Sequence, residues 1–232
     1  MRSRGIGLAT VLVLAGAVGC SGGDDPVVHT AEQSYDVTEP VTTVLLDARM
    51  ASVTVDAADG PVTVTETLRY SGTKPTVSHQ IADGALQLTE TGCGGARLRC
   101  DVDYRIRVPA RTALRVTTTA GAVTVRGLAG QLVVSSDAGA INGQVLTADR
   151  ATVSTRAGAA KLQFAEPPAQ VEATSELGAI EVRLPGDRSY AVNVSTKAGG
   201  SDVSVDQDAA SAHKITVKTT VGAVRVAPNT PN

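Results

Sequence analysis

A glycine set among small residues returns six times in this chain, in "TTAGAV", "SDAGAI", "TRAGAA", "ELGAIE", "KAGGSD" and "TVGAVR". Gly121, Gly139, Gly158, Gly178, Gly199 and Gly222 are separated by 18, 19, 20, 21 and 23 residues. Intervals of this length mark a stacked repeat, in which each unit is one supersecondary element. Aligned on the glycine, the units agree in detail. Seven and five residues before it stand Leu114/Val116, Leu132/Val134, Ala151/Val153, Val171/Ala173, Val192/Val194 and Ile215/Val217, apolar in every case. Three residues before it stand Thr118, Ser136, Thr155, Ser175, Thr196 and Thr219, a hydroxyl in every case. Offsets of equal parity share one face of a strand. Apolar residues resume two and four positions after the glycine, as in Val123/Val125, Ile180/Val182 and Val224/Val226, while Gly143 and Ser201 depart from the pattern.

The repeating unit is therefore strand, tight corner at glycine, strand, return loop. Such a unit buries its apolar face only by stacking on copies of itself, so an all-β solenoid is expected, with the glycines aligned along one edge. The corner glycine supplies either positive φ or room for the neighbouring coil's backbone. An earlier, degenerate copy, "VLLDARMASVTV", puts Val44, Leu46, Val53 and Val55 in the apolar places and Ala51 in the glycine place. The leucine and asparagine pattern of leucine-rich repeats is missing, as is the nonapeptide of calcium-binding β-rolls. A plain antiparallel β-sandwich is the alternative, since strands at this spacing occur there too.

Residues 41–112 read as strands that precede the repeats of 113–228. In "DVDYRIRV", Val102, Tyr104, Ile106 and Val108 alternate with Asp101, Asp103, Arg105 and Arg107, one face buried and one solvated. In "HQIADGALQLTE", Asp83-Gly84 between alternating runs signals a two-residue hairpin. With aromatic residues at 2%, the core must be thin and built from Val, Ala, Leu and Ile. The same scarcity, with a net charge of −2, leaves neither stacking platforms nor a basic footprint for nucleic acid.

The chain opens with Arg2 and Arg4 and an apolar run over 6–18, too short to span a bilayer as a helix, which reads as an export signal over 1–19. Its end, "AVGCSGG", resembles the lipobox of bacterial lipoproteins, which implies that Cys20 is acylated and becomes the mature N-terminus, anchored to the outer side of the cell membrane. A plain secretory signal is the alternative. Loss of the two arginines, with no acid in that segment, takes the charge from −2 to −4. Residues 20–40, with five acids between 21 and 40 and no Lys or Arg, read as a flexible acidic tether. With Cys20 carrying lipid, Cys93 and Cys100 remain, and the glycines at 92, 94 and 95 allow a disulfide-closed hairpin loop. A zinc site there would want four ligands and finds only two.

"CDVDYRIRVPARTALRVTTTAGAVTVRGLAG", followed by the recurring "AGAI", "LGAIEVRLP" and "VGAVRV", resembles the DUF4097 family of bacterial envelope proteins, also labelled putative adhesins. The likeness runs over about residues 41 to 227. It implies a right-handed parallel β-helix-like fold and a surface location. Here Ala replaces the family's usual Ser and Asp beside most of the glycines.

Few residues offer chemistry. His29, His79 and His213 have no Cys or His neighbours in sequence and read as surface residues. Asp101 and Asp103 lie two apart on one strand face, roughly 7 Å from each other, a separation compatible with glycoside chemistry. Arg105 and Arg107 on that face would hold them ionised, which a general acid must avoid. Asp202, Asp206 and Asp208 lack the glycine and final Glu of a hand-type calcium loop and read as turn acids. No residue pattern requires a cofactor or a metal ion. The expectation is a non-enzymatic envelope lipoprotein whose lateral rows, such as Thr117, Ser154, Thr174, Asn193 and Ser195, meet a cell-wall polymer or an envelope protein. A carbohydrate-active enzyme on the same scaffold is the alternative. Lys214, Lys218, Arg225 and Pro228 suggest that the last repeat forms a protected terminal coil, with 229–232 as a short tail.

Overall fold

The computed structural model describes residues 27–92 and 99–229, and among these none is helical. The signal segment, Cys20 and Cys93 lie outside the described residues. Eighteen strands form: β1 His29–Val37, β2 Thr43–Ala57, β3 Val62–Tyr70, β4 Val77–Ala82, β5 Ala85–Glu90, β6 Cys100–Val108, β7 Ala113–Ala120, β8 Val123–Arg126 and β9 Leu132–Ala138. They continue with β10 Ile141–Leu146, β11 Arg150–Ala157, β12 Ala160–Phe164, β13 Gln170–Leu177, β14 Ile180–Leu184, β15 Ala191–Ala198, β16 Ser201–Val203, β17 Lys214–Val221 and β18 Val224–Pro228.

Each repeat crosses from one sheet to the other at its glycine. Strands β7, β9, β11 and β13 pair in parallel in sheet B, and β8, β10, β12 and β14 do so in sheet A. The degenerate copy is a single long strand, β2, which joins sheet B beside β7 and sheet A beside β8. Val44, Leu46, Val53 and Val55 are buried as the repeat pattern requires, and Ala51 stands at the corner. The parallel solenoid is therefore the fold, with antiparallel additions at its N-terminal end. There β4 pairs with β5 across the Asp83-Gly84 turn, whose φ values of 52° and 75° are both left-handed. On sheet A, β3 pairs antiparallel with β6, and β1 with β3. Residues 29–37 thus correct the reading of a tether running to residue 40. Their alternation, with Ala31, Gln33, Tyr35 and Val37 facing inward, was masked by the acids between them.

The cross-section is a wedge. At the glycine corner the two sheets converge, and at the return side Leu128, Leu146, Phe164 and Leu184 are fully buried and hold them apart. Gly143, which breaks the apolar pattern, has a packing explanation. The register of β10 shifts between Gly143 and Leu146, and a Cβ on Gly143 would meet Leu146 Cδ1 at 2.7 Å, so the leucine fills the place that glycine leaves.

The corner itself is a ladder of backbone contacts. A Cβ added to any of the six repeat glycines would lie 1.9–2.1 Å from the carbonyl oxygen of the corner residue behind it, a separation no side chain tolerates. Their φ values run from 126° to 157°, so conformation and space demand glycine together. The carbonyls that point along the stack receive the repeat hydroxyls. Thr155 donates to Gly139 (3.4 Å), Ser175 to Gly158 (3.3 Å), Thr219 to Gly178 (3.1 Å) and Thr196 to Gly222 (3.1 Å). Thr118 bonds its own strand at Ala120, and the buried Ser136 hydroxyl has no partner among the described residues.

Spatial order departs from sequence order at the end of the stack. Strand β17 lies between β13 and β15, and β18 lies between β14 and β16, so the last repeat in sequence is the penultimate coil. The glycine ladder records the same exchange: Gly222 faces the carbonyl of Gly178, and Gly199 faces that of Gly222. Burial accounts for it. Interior coils need an apolar residue two places after the glycine, which Val224 supplies and Ser201 does not. Ile215, Val217, Val224 and Val226 are accordingly fully buried, whereas Val192, Val194 and Val203 are partly exposed at the stack's end. A ten-residue connection, 204–213, makes the return. The exposed terminal edge is thus β15 and β16, which corrects the expectation that Lys214, Lys218, Arg225 and Pro228 protect a terminal coil.

Gly178→Ala should destabilise the protein by about 3 kcal/mol or more in a denaturant titration, while Gly200→Ala, whose Cβ would meet nothing within 4 Å, should stay within about 0.5 kcal/mol of wild type. Engineered cysteine pairs test the exchanged order. Glu172→Cys with Thr216→Cys should crosslink rapidly on mild oxidation, because these residues are direct cross-strand partners. Rapid crosslinking of Glu172→Cys with Asn193→Cys would instead show sequential stacking.

Candidate functional site

Parallel in-register stacking turns each outward position of the repeat into a row that crosses the molecule. On sheet B, four residues before the glycines, Thr117, Ser135, Ser154 and Thr174 stand side by side and are continued by Lys218 and Ser195. The expected lateral hydroxyls are therefore brought together. Within the row Ser154 donates to Ser135 at 3.2 Å, and beside it Arg156 pairs with Asp137 at 3.4 Å. Ser135, Ser154, Thr174, Asp137, Arg156 and Glu176 rim a shallow groove of about 410 Å³.

Sheet A carries a second set of rows, three and five places after the glycines, which the sequence reading did not single out. Asn142, Lys161 and Glu181 are register partners, as are Gln163 and Arg183, with Gln144 on the same side of β10. These residues line a smaller depression of about 160 Å³. Arg183 pairs with Glu181 at 2.8 Å, and Gln144 accepts from Arg126. Next to Gln144 in sequence, Val145 has φ 52° and is 57% exposed, a strained backbone for a β-branched residue. The places of Asn142, Gln144 and Gln163 in the repeat alignment are regular, but amides carry no catalytic or metal-ligand signature in sequence.

The acids considered for catalysis are neutralised. Arg69, on the neighbouring strand β3, pairs with Asp101 at 3.1 Å and Asp103 at 2.5 Å, and Arg99 adds a contact to Asp101 at 3.0 Å. Both carboxylates are about a third exposed. The partner arginine comes from across the sheet rather than from 105 or 107. Asp202 pairs with Arg225 at 3.5 Å, and Asp208 caps the turn at Ala210, so neither acid stands in a cation loop. Among the described residues, no group of three or more His, Cys, Asp or Glu is arranged to hold a metal ion.

His29 and His79 are exposed, as surface residues should be, and His213 is half-buried. His213 Nδ1 lies 2.8 Å from the Pro168 carbonyl and its ring meets Tyr190 edge-on, while His79 stacks on Tyr35 at 4.2 Å. The latter contact bridges β4 and β1 and lies over a buried polar cluster at the N-terminal end. Glu66, only 1% exposed, accepts hydrogen bonds from Gln33 and from the Tyr35 hydroxyl. Glu90, also buried, accepts the Arg49 and Met50 amides at 2.7 and 3.2 Å, and its other oxygen has no described partner. Burial, then the Glu66 charge, pushes the Tyr35 phenol far above its usual range. Burial, Glu66 and Glu90 do the same to Tyr104. This cluster closes the core's end. Cys100 starts β6 in a buried position, and its expected partner Cys93 lies outside the described residues.

Raised phenol values mean that the folded state favours neutral tyrosine, so this contribution to stability is complete below about pH 10 and is lost as pH rises above it. In an alkaline titration followed by tyrosinate absorbance, Tyr35 and Tyr104 should ionise only together with the loss of β-sheet signal. Ionisation of all four tyrosines near pH 10 in folded protein would contradict the burial described.

The comparisons agree with this geometry. The Toastrack DUF4097 family model matches residues 41–229. Among solved structures, the chain is similar to a putative cell adhesion protein from Clostridium sporogenes, at 13% identity and a TM-score of 0.54, with 87% of this chain and 100% of that chain covered. Putative adhesins from Bacteroides fragilis (11% identity, TM-score 0.38, 89% and 100% covered) and Parabacteroides distasonis (12%, 0.33, 87% and 97%) are also similar. No curated protein matches the sequence. At these identities the solved structures speak to the fold alone. The family match spans β2 to β18 and the complete glycine repeat, and the chain belongs to the Toastrack DUF4097 family.

Proposed function

We propose that this protein is an extracytoplasmic lipoprotein that binds a cell-wall polymer or an envelope protein through a lateral face of its solenoid, without altering the partner chemically. One observation carries the reading. The glycine corner and the apolar interior supply the structural contacts, which leaves in-register rows of polar side chains on both sheets with no packing role. Such rows offer many weak contacts at fixed spacing, the design of a recognition surface rather than of a reaction centre. The neutralised Asp101 and Asp103 support the non-enzymatic side of the proposal, as does the description of the Clostridium sporogenes structure as a putative cell adhesion protein.

In this reading Cys20 carries the lipid and residues 21–28 lead to β1, so the solenoid is held close to the membrane surface. Cys93 and Cys100 form a disulfide that closes the loop before β6, worth roughly 2 to 3 kcal/mol by loop entropy.

Metabolic labelling with a fatty acid tests the anchor: the wild-type chain should be labelled and the Cys20→Ala chain should not. Mass mapping of the same exported protein without reduction should show Cys93 joined to Cys100. For the binding role, purified full-length protein should sediment with isolated cell envelopes and leave their glycans and proteins intact. Hydrolysis of cell-wall glycan that Asp101→Asn abolishes would replace this reading with the enzymatic one.

A further inference from the structure

The two lateral faces are not equivalent. On sheet B the surface is a repeated row of short hydroxyls, with one Ser154–Ser135 bond and one Arg156–Asp137 pair beside it. On sheet A the depression over β10, β12 and β14 is lined by longer groups of mixed type. Asn142, Lys161 and Gln163 have no side-chain hydrogen bond or ion pair among the described residues.

The six side chains form a grid. Asn142, Lys161 and Glu181 make one row and Gln144, Gln163 and Arg183 the other, with rows roughly 7 Å apart and successive coils roughly 4.8 Å apart. The coil spacing is comparable with the advance per sugar in an extended glycan strand. Carboxamides suit such a ligand because each one donates and accepts in a single plane, as neighbouring hydroxyls on a pyranose ring require. The charges add a second requirement. Arg183 pairs with Glu181 at 2.8 Å, whereas Lys161 has no ion pair among the described residues.

Val145 is independent of the grid. It sits in the β10 irregularity between Gly143 and Leu146, directly after the groove residue Gln144, with a left-handed backbone and an exposed apolar side chain. The left-handed φ belongs to the register shift that lets Gly143 and Leu146 both face the core, whereas the exposed side chain serves no packing. An exposed apolar side chain on a bulge, next in sequence to a residue of the depression, points to use of that side chain. In a chain whose composition is 2% aromatic, Val145 offers the apolar contact that the C–H face of a sugar ring needs.

We propose that this sheet A groove binds one strand of an acidic carbohydrate polymer, running along the solenoid axis, with Asn142, Gln144 and Gln163 on its hydroxyls, Lys161 on its carboxylate and Val145 against a ring face. This inference rests on the binding role proposed above and names its face and ligand class.

Full-length protein would be titrated with hyaluronan oligosaccharides as the acidic glycan, cello-oligosaccharides as the neutral glycan and poly-glutamate as a polyanion that is not a sugar. Hyaluronan should bind best, and Asn142→Ala with Gln163→Ala should weaken it at least tenfold. Lys161→Gln should abolish the preference for hyaluronan over cello-oligosaccharides. Val145→Gly separates the groove from the fold: removing the strain should leave the melting temperature unchanged or higher, while binding falls severalfold. Equal or tighter binding of poly-glutamate would overturn the carbohydrate assignment. Loss of glycan binding on Ser154→Ala with Thr174→Ala, with the sheet A variants unaffected, would move the site to sheet B. Envelope binding that persists without affinity for either glycan would refute this inference and leave the general binding role intact. Absence of both would refute both.

Discussion

Every coil in this solenoid closes on the one behind it through a contact between two corner residues, a carbonyl oxygen directed at a glycine Cα that has no room for a side chain. That approach sets the rest of the geometry. It pins the two sheets together along a narrow edge, so their other edges diverge and must be held apart by Leu128, Leu146, Phe164 and Leu184. It also directs carbonyls along the stack, away from the amide ladder, where hydroxyls three residues upstream receive them. Glycine and hydroxyl are thus two halves of one device. The first permits the approach, and the second satisfies the acceptor, which would otherwise incur about 1 to 3 kcal/mol of desolvation.

Ala51 shows what the constraint does and does not require. It is the first corner among those described, so its own carbonyl faces Gly121 while no described corner carbonyl faces its Cβ. A residue with a side chain is tolerated at the start of the stack for that reason. The same reasoning governs the far end. Gly199 and Gly222 both satisfy the corner, so the corner cannot choose between them, and the choice passes to the strands beyond it. Strand β18 has five residues and an apolar face, whereas β16 has three and begins with Ser201. The better-filled repeat takes the interior place, and the chain crosses itself in order to put it there.

Because the corner and the core account for the stacking, the outward positions are released from structural duty. Their pairing states then differ with the side chains that occupy them. Sheet B carries short hydroxyls, with Ser154 bonded to Ser135 and Arg156 paired with Asp137. On sheet A, Arg183 pairs with Glu181 and Gln144 accepts from Arg126, while Asn142, Lys161 and Gln163 have no side-chain partner among the described residues and the exposed Val145 follows in the β10 bulge. At the N-terminal end the demand is different. A solenoid's first coil would leave its interior open, and here β1, β3, β4 and β5 cover it around buried Glu66 and Glu90, with Tyr35 stacked on His79 between the two sheets.

Much of this was legible in the amino-acid order. Glycine spacing, the parity of the apolar places and the invariant hydroxyl identified a solenoid and its corner, because a contact repeated between neighbouring coils leaves a repeated residue. The Asp83-Gly84 hairpin and the buried face of β6 were legible for the same local reason. Contacts made once between distant segments left no such trace. His29–Val37 becomes a strand only because β3 offers an unpaired edge, and Arg69 reaches Asp101 and Asp103 only because β3 and β6 run antiparallel in one register. The exchanged order of the last two coils belongs to this class as well. The sequence by itself determined which residues can form a coil and where that coil must bend, since both depend on local stereochemistry. Which coil lies beside which was decided by tertiary structure alone, because interchangeable repeats are ranked only by the apolar surface that their stacking buries.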